Sequence, residues 1–214
     1  MKKSKLDNFK IIGILLLLAA FIDSYFLLTN EHFSQVFWFC NTGIYLLAFG
    51  FYFRKSIILT GILIGALVAQ IPWVLDFLVQ LFTDYSLFGV ASYMFDYSFN
   101  NIRFYVELDH LFIIPIAIYG TYKLGFHKYG WVFAAIVTLI LNAAAYNFSS
   151  LEDNVNCVFY SCFDEQISPK EHPFVYMIGF SFLIVFAMFV LNQIIYMIIN
   201  RKVKLSLYRN IPFF

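Results

Sequence analysis

Residues 11–28 read IIGILLLLAAFIDSYFLL, and this run decides the class of fold. About 20 predominantly apolar residues are enough for a helix to cross a bilayer. The basic segment Met1–Lys5 precedes the run, as in a signal peptide, but no small-x-small cleavage site follows it. The run ends instead in Asp23–Asn30, DSYFLLTN. We therefore expect a retained first membrane-spanning helix.

The composition of the whole chain indicates a membrane protein. Of its 214 residues, 62% are hydrophobic and only 13% are charged, whereas soluble domains carry about 25% charged residues. The net charge of +1 gives no reason to expect a nucleic-acid partner. The sequence contains no Gly-rich phosphate loop, zinc-ribbon spacing or nucleotide fingerprint, so we expect no cofactor. A membrane lipid is the expected partner, and the sequence identifies no protein partner.

Six segments have the length and hydropathy of membrane spans. They lie at about residues 11–29, 33–53, 56–82, 106–124, 130–148 and 173–199. The aromatic segment 84–105 contains Asp84, Gly89 and Asp96, so we expect it to lie along the membrane interface. A seventh span in this segment is the alternative. An outer loop, residues 149–172, joins the last two spans.

The basic residues predict the orientation of the spans. With a cytoplasmic N-terminus and six spans, twelve of the fourteen lysines and arginines fall in cytoplasmic segments, and only Arg103 and Lys170 lie outside. Such a bias sets orientation in membrane proteins. The prediction is an all-α fold: a single transmembrane domain over residues 1–214, a bundle of six helices in the cell membrane with both termini cytoplasmic.

Polar residues collect in the outer halves of the predicted spans. Of the thirteen acidic residues, Asp7 alone is cytoplasmic under this topology. The outer half of the bundle also carries Trp38, Cys40, Asn41, Pro72, Asp76, Gln80, Glu107, Asp109, His110, Asn142, Tyr146, Asn147, Glu171 and His172. This clustering predicts a polar cavity that opens towards the outer leaflet.

Three of these residues are candidates for catalysis. A carboxylate such as Asp76 inside a span costs roughly 2.5–3.5 kcal/mol on insertion scales, so it normally faces a partner or a wet cavity. Each candidate also has an ordinary structural explanation. Asp76 could be protonated and bonded to a neighbouring helix, His110 could be wetted by lipid head groups, and Cys40 could be a small buried hydrophobe.

We expect Cys40, Asp76 and His110 to surround one pocket, with their side chains within about 10 Å of one another. Glu107 and His110 are three residues apart and share a helical face, while Asp109 points elsewhere, towards the interface. The predicted substrate-binding residues around this catalytic set are Trp38, Asn41, Gln80, Asp109, Asn142, Tyr146 and His172.

Cys157 and Cys162 lie five residues apart in the outer loop. Because this side of the membrane is oxidising, we expect the two thiols to form a small disulfide. A metal-binding pair is the less favoured interpretation, since no second pair of ligands flanks them.

The order of short motifs resembles a known family. The motifs are FWFCN at 37–41, Pro72, DHLFIIPIAIYGTYKLGF at 109–126, LNAAAYNF at 141–148 and HPFVYMIG at 172–179. Together they resemble the YwaF-type family of bacterial integral membrane proteins, which is distantly related to a eukaryotic transmembrane phospholipid acyltransferase. The resemblance covers about residues 33–199.

The resemblance implies acyl transfer, with Cys40 as the nucleophile and His110 as the base. A thiolate is the reactive form of cysteine, and an imidazole can take the thiol proton. The chain departs from the family at one position, because the family tends to carry a histidine two residues before the cysteine and this chain has Trp38.

Three functions remain open at the level of the sequence. The first is a lipid acyltransferase that acts at the outer leaflet through Cys40 and His110. The second is a metal-dependent membrane hydrolase, in which Asp76, His110 and His172 hold a catalytic zinc ion with one open position. The third is a non-enzymatic protein that binds or transports a lipid or small molecule. The sequence has no internal repeat of the kind that secondary transporters use.

Overall fold

The computed structural model describes residues 7–29, 33–95, 104, 107–108, 110–163 and 171–209, with the backbone alone for residues 201–209. Its regular elements in these ranges are helical and include no strand, which confirms the all-α prediction. The α-helices are α1 (Asn8–Thr29), α2 (Phe39–Tyr52), α3 (Ser56–Ala69), α4 (Ile71–Thr83), α5 (His110–Leu124), α6 (Gly130–Phe148) and α7 (Pro173–Arg209). Short 3₁₀ turns occupy Phe33–Phe37, Ser92–Phe95 and Val155–Cys157.

Three of these helices are long and apolar enough to cross a membrane: α1, α6 and the part Pro173–Asn200 of α7. Helices α3 and α4 meet the same criteria together but are bent by 54°, so they add a fourth span only if the pair counts as one. Helices α2 and α5 have 14 and 15 residues and are shorter. The described helices therefore indicate a membrane protein with three to four candidate spans, fewer than the six predicted.

Local sequence explains why the predicted spans are shortened or bent. The second predicted span starts at residue 33, but Phe33–Phe37 forms a 3₁₀ turn and α2 begins only at Phe39. The third is interrupted after Gln70, where Pro72 stands in the first turn of α4. A proline has no N–H to donate and its ring collides with the carbonyl four residues earlier, here that of Val68. A continuous helix over 56–82 is therefore excluded.

Helix α3 lies at the centre of the bundle and contacts α2, α4, α5, α6 and α7. Its residues Leu59, Ile62 and Ala66 are buried in one core with Leu47 of α2 and Ala117 of α5. By contrast, many apolar side chains of α1 and α7 point outwards, including Leu15, Leu18, Phe21, Phe182, Leu183 and Phe186. This is the arrangement of a bundle whose outer faces contact lipid.

Small residues bring the central helices close together. A Cβ added to Gly61 of α3 would lie 3.0 Å from the carbonyl oxygen of Gly130 in α6, and one added to Gly130 would overlap the side chain of Thr60. Gly65 of α3 is covered by the Phe39 ring, which a Cβ at this position would overlap. Close approach through small residues is the usual means of packing helices in membranes, where van der Waals contact drives association.

The two ends of the bundle differ in character. At one end, the start of α1 meets the ends of α2 and α5: the Phe51 ring lies 5.4 Å from that of Phe9 and 6.4 Å from that of Tyr119. Arg54 forms an ion pair of 2.7 Å with Asp7 at the same end. We call this the basic end, because Lys10 of α1, Lys123 of α5 and the loop residues Lys55 and Lys128, which follow α2 and α5, also lie in or close to these helix termini.

The predicted interfacial segment 84–105 is described continuously to residue 95. In this part it contains the 3₁₀ turn Ser92–Phe95 and folds back onto α4, where Ala91 and Met94 are buried against Trp73 and Phe77.

The predicted bond between Cys157 and Cys162 is confirmed: the two residues form a disulfide with a Cα–Cα distance of 5.5 Å.

Candidate functional site

A cavity of about 450 Å³ opens at the end of the bundle opposite the basic end. The start of α2, the end of α3, the start of α5, the second half of α6 and the loop after α6 contribute to its wall. Among the residues that line it are Trp38, Cys40, Asn41, Gln70, Trp73 and His110. The cavity is lined mainly by apolar surface, and Cys40 and His110 lie on it together.

His110 is buried at the start of α5, and its ring orientation is fixed from two sides. The Nδ1 atom lies 3.0 Å from the backbone carbonyl oxygen of Glu107 and 3.8 Å from Oε2 of the same residue. The Trp73 ring packs on the imidazole, with the ring centroids 4.8 Å apart. Because a carbonyl oxygen only accepts, Nδ1 must carry a proton, which leaves the lone pair of a neutral ring on Nε2.

A chain of hydrogen bonds extends from Glu107 to α4. Trp73 Nε1 donates to the hydroxyl of Tyr93 over 3.1 Å, and this hydroxyl lies 3.4 Å from Oε2 of Glu107. Burial raises the pKa of Tyr93, and the nearby Glu107 carboxylate raises it further, so the phenol keeps its proton as a donor. The side-chain amide of Gln70 donates to the backbone carbonyl of His110 over 3.0 Å. These bonds hold the start of α5 against the bend between α3 and α4.

Cys40 is the second residue of α2 and carries a free, half-buried thiol. The first turn of a helix has partial positive charge from its backbone N–H groups, which favours an anion there. The start of α2 is also held by the loop after α6. The Asn156 side chain accepts a hydrogen bond from Phe39 N over 3.1 Å and donates one to the Phe37 carbonyl over 2.8 Å. The backbone that carries the thiol is therefore fixed.

Three of the predicted substrate-binding residues line the cavity: Trp38, Asn41 and Asn142. Asn41 donates to the backbone carbonyl of Gln35 over 2.8 Å, and Asn142 donates to Ser181 Oγ over 2.9 Å. Each side-chain amide thus donates a hydrogen bond from its NH₂ group to another part of the protein.

Asp76 lies elsewhere, contrary to the expectation that it shares the pocket. Its carboxylate is completely buried and accepts four hydrogen bonds from the segment that follows α4. Oδ1 accepts from the Ser86 hydroxyl at 3.1 Å and from the backbone N–H groups of Leu87 at 2.7 Å and Phe88 at 2.8 Å, and Oδ2 accepts from Ala91 N at 2.7 Å. A buried carboxylate requires hydrogen-bond partners, and for Asp76 most of these are backbone N–H groups of the loop after α4.

Three further predicted binding residues, Gln80, Tyr146 and His172, do not line the cavity. Gln80 is half-buried further along α4, beyond the wall residues. Tyr146 packs between the rings of Phe159 and Phe174, with centroid distances of 5.3 and 5.8 Å. His172 is exposed just before α7. Asp109 lies outside the described residues.

The zinc interpretation fails on this geometry. Asp76 is occupied by backbone donors and His172 is exposed, so neither joins His110 at the cavity. Within the described part of the chain, no group of three or more His, Cys, Asp or Glu side chains is placed to hold a metal ion.

Sequence reasoning did not assign Glu107, Gln70, Trp73 or Tyr93 to the site. Glu107 had a usable signal, because it lies one helical turn before His110 on the same face. Gln70 and Trp73 are also three residues apart and flank Pro72. Tyr93 had no such signal, since a loop brings it to the cavity.

No protein family, curated protein or solved structure matches this chain. Fold and site together therefore define the class: an all-helical membrane protein with a cavity at one end of the bundle, lined mainly by apolar surface with several polar side chains.

Proposed function

We propose that this protein is a membrane-embedded acyltransferase that acts on a lipid or a similar amphiphile, with Cys40 as the nucleophile and His110 as the base. One observation carries the proposal: a free thiol and a histidine line the same cavity, and Glu107 orients the histidine. The resemblance to the YwaF-type family supports the same two roles. Glu107, and not Asp76, is the acidic residue beside His110.

The reaction proceeds in two steps. Nε2 of His110 takes the proton of the Cys40 thiol, and the thiolate attacks the carbonyl carbon of an acyl ester. The ester bond breaks, the departing alcohol takes the proton from His110, and a thioester remains on Cys40. His110 then deprotonates a hydroxyl or amine of the acceptor, which attacks the thioester and releases the thiol. The Glu107 carboxylate stabilises the imidazolium formed in each step.

The cavity wall combines acidic and apolar side chains, which suits an amphiphile. In the described residues, the wall holds the carboxylates Glu107 and Asp153 and no lysine or arginine. Apolar side chains such as Leu141 and Ile184 supply the surface for an alkyl chain. The second step of the reaction requires an acyl acceptor that carries a hydroxyl or an amine.

We also propose the six-crossing topology with the cavity on the outer side. The bundle supports it because the basic residues gather at the end opposite the cavity. Helices α2 and α5 then cross as short helices, α2 together with the 3₁₀ turn Phe33–Phe37 that precedes it.

The topology is tested with single cysteines that are introduced, one at a time, into a variant without the native cysteines. We expect Lys55→Cys and Lys128→Cys to be protected from a membrane-impermeant maleimide in intact cells, because both lie at the basic end. Asn100→Cys and Glu165→Cys should react. Reaction of positions 100 and 128 from the same side would contradict the six-crossing arrangement.

Trapping the thioester tests the chemistry. Cells that express the protein are fed an alkyne-bearing fatty acid, and the label on Cys40 is read with and without neutral hydroxylamine, which cleaves thioesters. We expect no label in Cys40→Ala and about a hundredfold slower labelling in His110→Ala, since a general base contributes about 10²–10⁴-fold. His127→Ala is the matched control, because His127 lies near the basic end and should not affect labelling.

The same preparations separate an enzyme from a binding protein. Copurified lipid is identified by mass spectrometry in parallel with the thioester measurement. A bound amphiphile together with a Cys40 thioester supports the proposal. A bound amphiphile without any label on Cys40, or a label that survives in Cys40→Ala, overturns it and leaves a lipid-binding protein.

A further inference from the structure

The cavity contains both a free thiol and a disulfide. Cys40 and Cys157 line the same cavity, and Cys157 is bonded to Cys162. The acyl-transfer chemistry uses only the thiol. A thiol that shares a cavity with a disulfide has the reactants for exchange, in which a thiolate attacks one sulfur and expels the other.

The two sulfur-bearing segments are joined directly. The Asn156 side chain bonds to Phe39 N at 3.1 Å and to the carbonyl of Phe37 at 2.8 Å. Phe39 precedes Cys40 in the chain, and Asn156 precedes Cys157. Each cysteine is therefore the direct neighbour of a residue in these hydrogen bonds. The fold thus holds the segments that carry Cys40 and Cys157 together.

The environment of the disulfide distinguishes its two sulfurs. Cys157 faces the cavity, which makes it the accessible target. The Cys162 Sγ atom accepts a hydrogen bond of 3.7 Å from the Asn154 amide, whose own oxygen accepts from Phe159 N at 3.0 Å. A donor held on one sulfur stabilises negative charge there, and a better stabilised thiolate leaves faster. Attack on Cys157 with departure of Cys162 is the favoured direction.

We propose that this cavity is a thiol–disulfide exchange centre in which Cys40 attacks the Cys157–Cys162 bond. Cys40 loses its proton to water or to His110, and its thiolate forms a bond to the sulfur of Cys157. The bond between Cys157 and Cys162 breaks, and Cys162 leaves as a thiolate that takes up a proton. One disulfide and one thiol are present before and after the step, so no external oxidant is needed.

The exchange gives the cavity two covalent states. In one state the thiol is on Cys40, inside the cavity, and in the other it is on Cys162 in the loop. The consequence for acyl transfer rests on the proposed function: a Cys40–Cys157 bond removes the nucleophile and stops acyl transfer. The exchange itself does not depend on that function, and disulfide mapping reads it without any acyl substrate.

Two matched variants, each without one loop cysteine, test the exchange. The full-length protein in membranes is treated with diamide as the oxidant, blocked with N-ethylmaleimide before denaturation, and mapped as non-reduced peptides. Cys162→Ser should give a Cys40–Cys157 cross-link and complete loss of maleimide labelling at Cys40. Cys157→Ser should keep Cys40 labelled. Full maleimide labelling of Cys40 in Cys162→Ser after oxidation would overturn the proposal.

The unmutated protein provides a measurement that does not depend on a variant folding. Without added oxidant, blocking with maleimide captures whichever cysteine is free. We measure the fraction of molecules that carry maleimide on Cys162 and a bond between Cys40 and Cys157. This fraction should be larger after mildly alkaline than after acidic incubation, because only the thiolate attacks. If maleimide were found on Cys40 alone at every pH, the exchange proposal would be overturned. The Cys40 thioester, and thus acyl transfer, could still be measured independently.

Discussion

Asp76→Ala is expected to unfold at a markedly lower temperature than the unmutated protein. The substitution removes the acceptor of four hydrogen bonds, three of them from backbone N–H groups, within 2.7–3.1 Å. A buried donor left without an acceptor costs about 1–3 kcal/mol, and more when its partner was charged. We therefore expect a loss of at least about 3 kcal/mol in the free energy of unfolding, measured by thermal unfolding in detergent.

The comparison of two carboxylate-to-amide substitutions isolates the cause. Asp76→Asn keeps one acceptor oxygen but turns an N–H group towards donors, so it should lose roughly half as much stability as the alanine variant. Asp84→Asn is the matched control, because Asp84 is exposed and its left-handed backbone, with φ of 56°, suits asparagine. Equal unfolding temperatures for Asp76→Ala and the unmutated protein would contradict the structural role of this carboxylate.

Gly65→Ala is expected to disturb both the stability and the reactivity of the site. The new methyl group would overlap the ring of Phe39, which is buried at the start of α2 beside Cys40. Extra volume in a packed core typically costs about 1–3 kcal/mol. Displacement of Phe39 also moves the backbone of its neighbour Cys40. Both the unfolding temperature and the rate of maleimide labelling at Cys40 should therefore differ from those of the unmutated protein.

Two further variants check that the clash with Phe39 is the reason. Gly179→Ala, in α7, adds the same methyl group where no atom lies within 4 Å, so it should leave stability unchanged. Phe39→Leu combined with Gly65→Ala should recover part of the lost stability, giving a coupling energy in a double-mutant cycle. Additive effects of these two substitutions would show that the ring and the glycine do not interact.

Local patterns in the sequence were enough to predict the helical class and part of the site. Hydropathy over 20-residue windows depends on the chain alone, and it located α1, α6 and α7. The shared cavity of Cys40 and His110 followed from their similar depth in neighbouring helices. The short disulfide followed from the position of Cys157 and Cys162, five residues apart in a loop predicted to face the oxidising side.

The features that the sequence did not predict depend on contacts between distant or irregular segments. Asp76 looked like a site residue because an isolated carboxylate in a span requires a partner. Its partners are backbone N–H groups of residues 87, 88 and 91, and backbone groups have no sequence signal. Tyr93 reaches Glu107 only through that same loop. The shortness of α2 was likewise hidden, because Phe33, Val36 and Phe37 continue the apolar run of the helix that follows.

The bond between Phe39 and Asn156 joins positions 117 residues apart in the chain, so it can form only after most of the protein has been synthesised. Helix α2 leaves the ribosome long before the segment around Asn156 has been synthesised. The part of the cavity wall that this loop contributes therefore forms only after α6 and the residues around Asn156 have been synthesised. A chain that ends before Asn156 carries Cys40 without the side chain that fixes the start of α2.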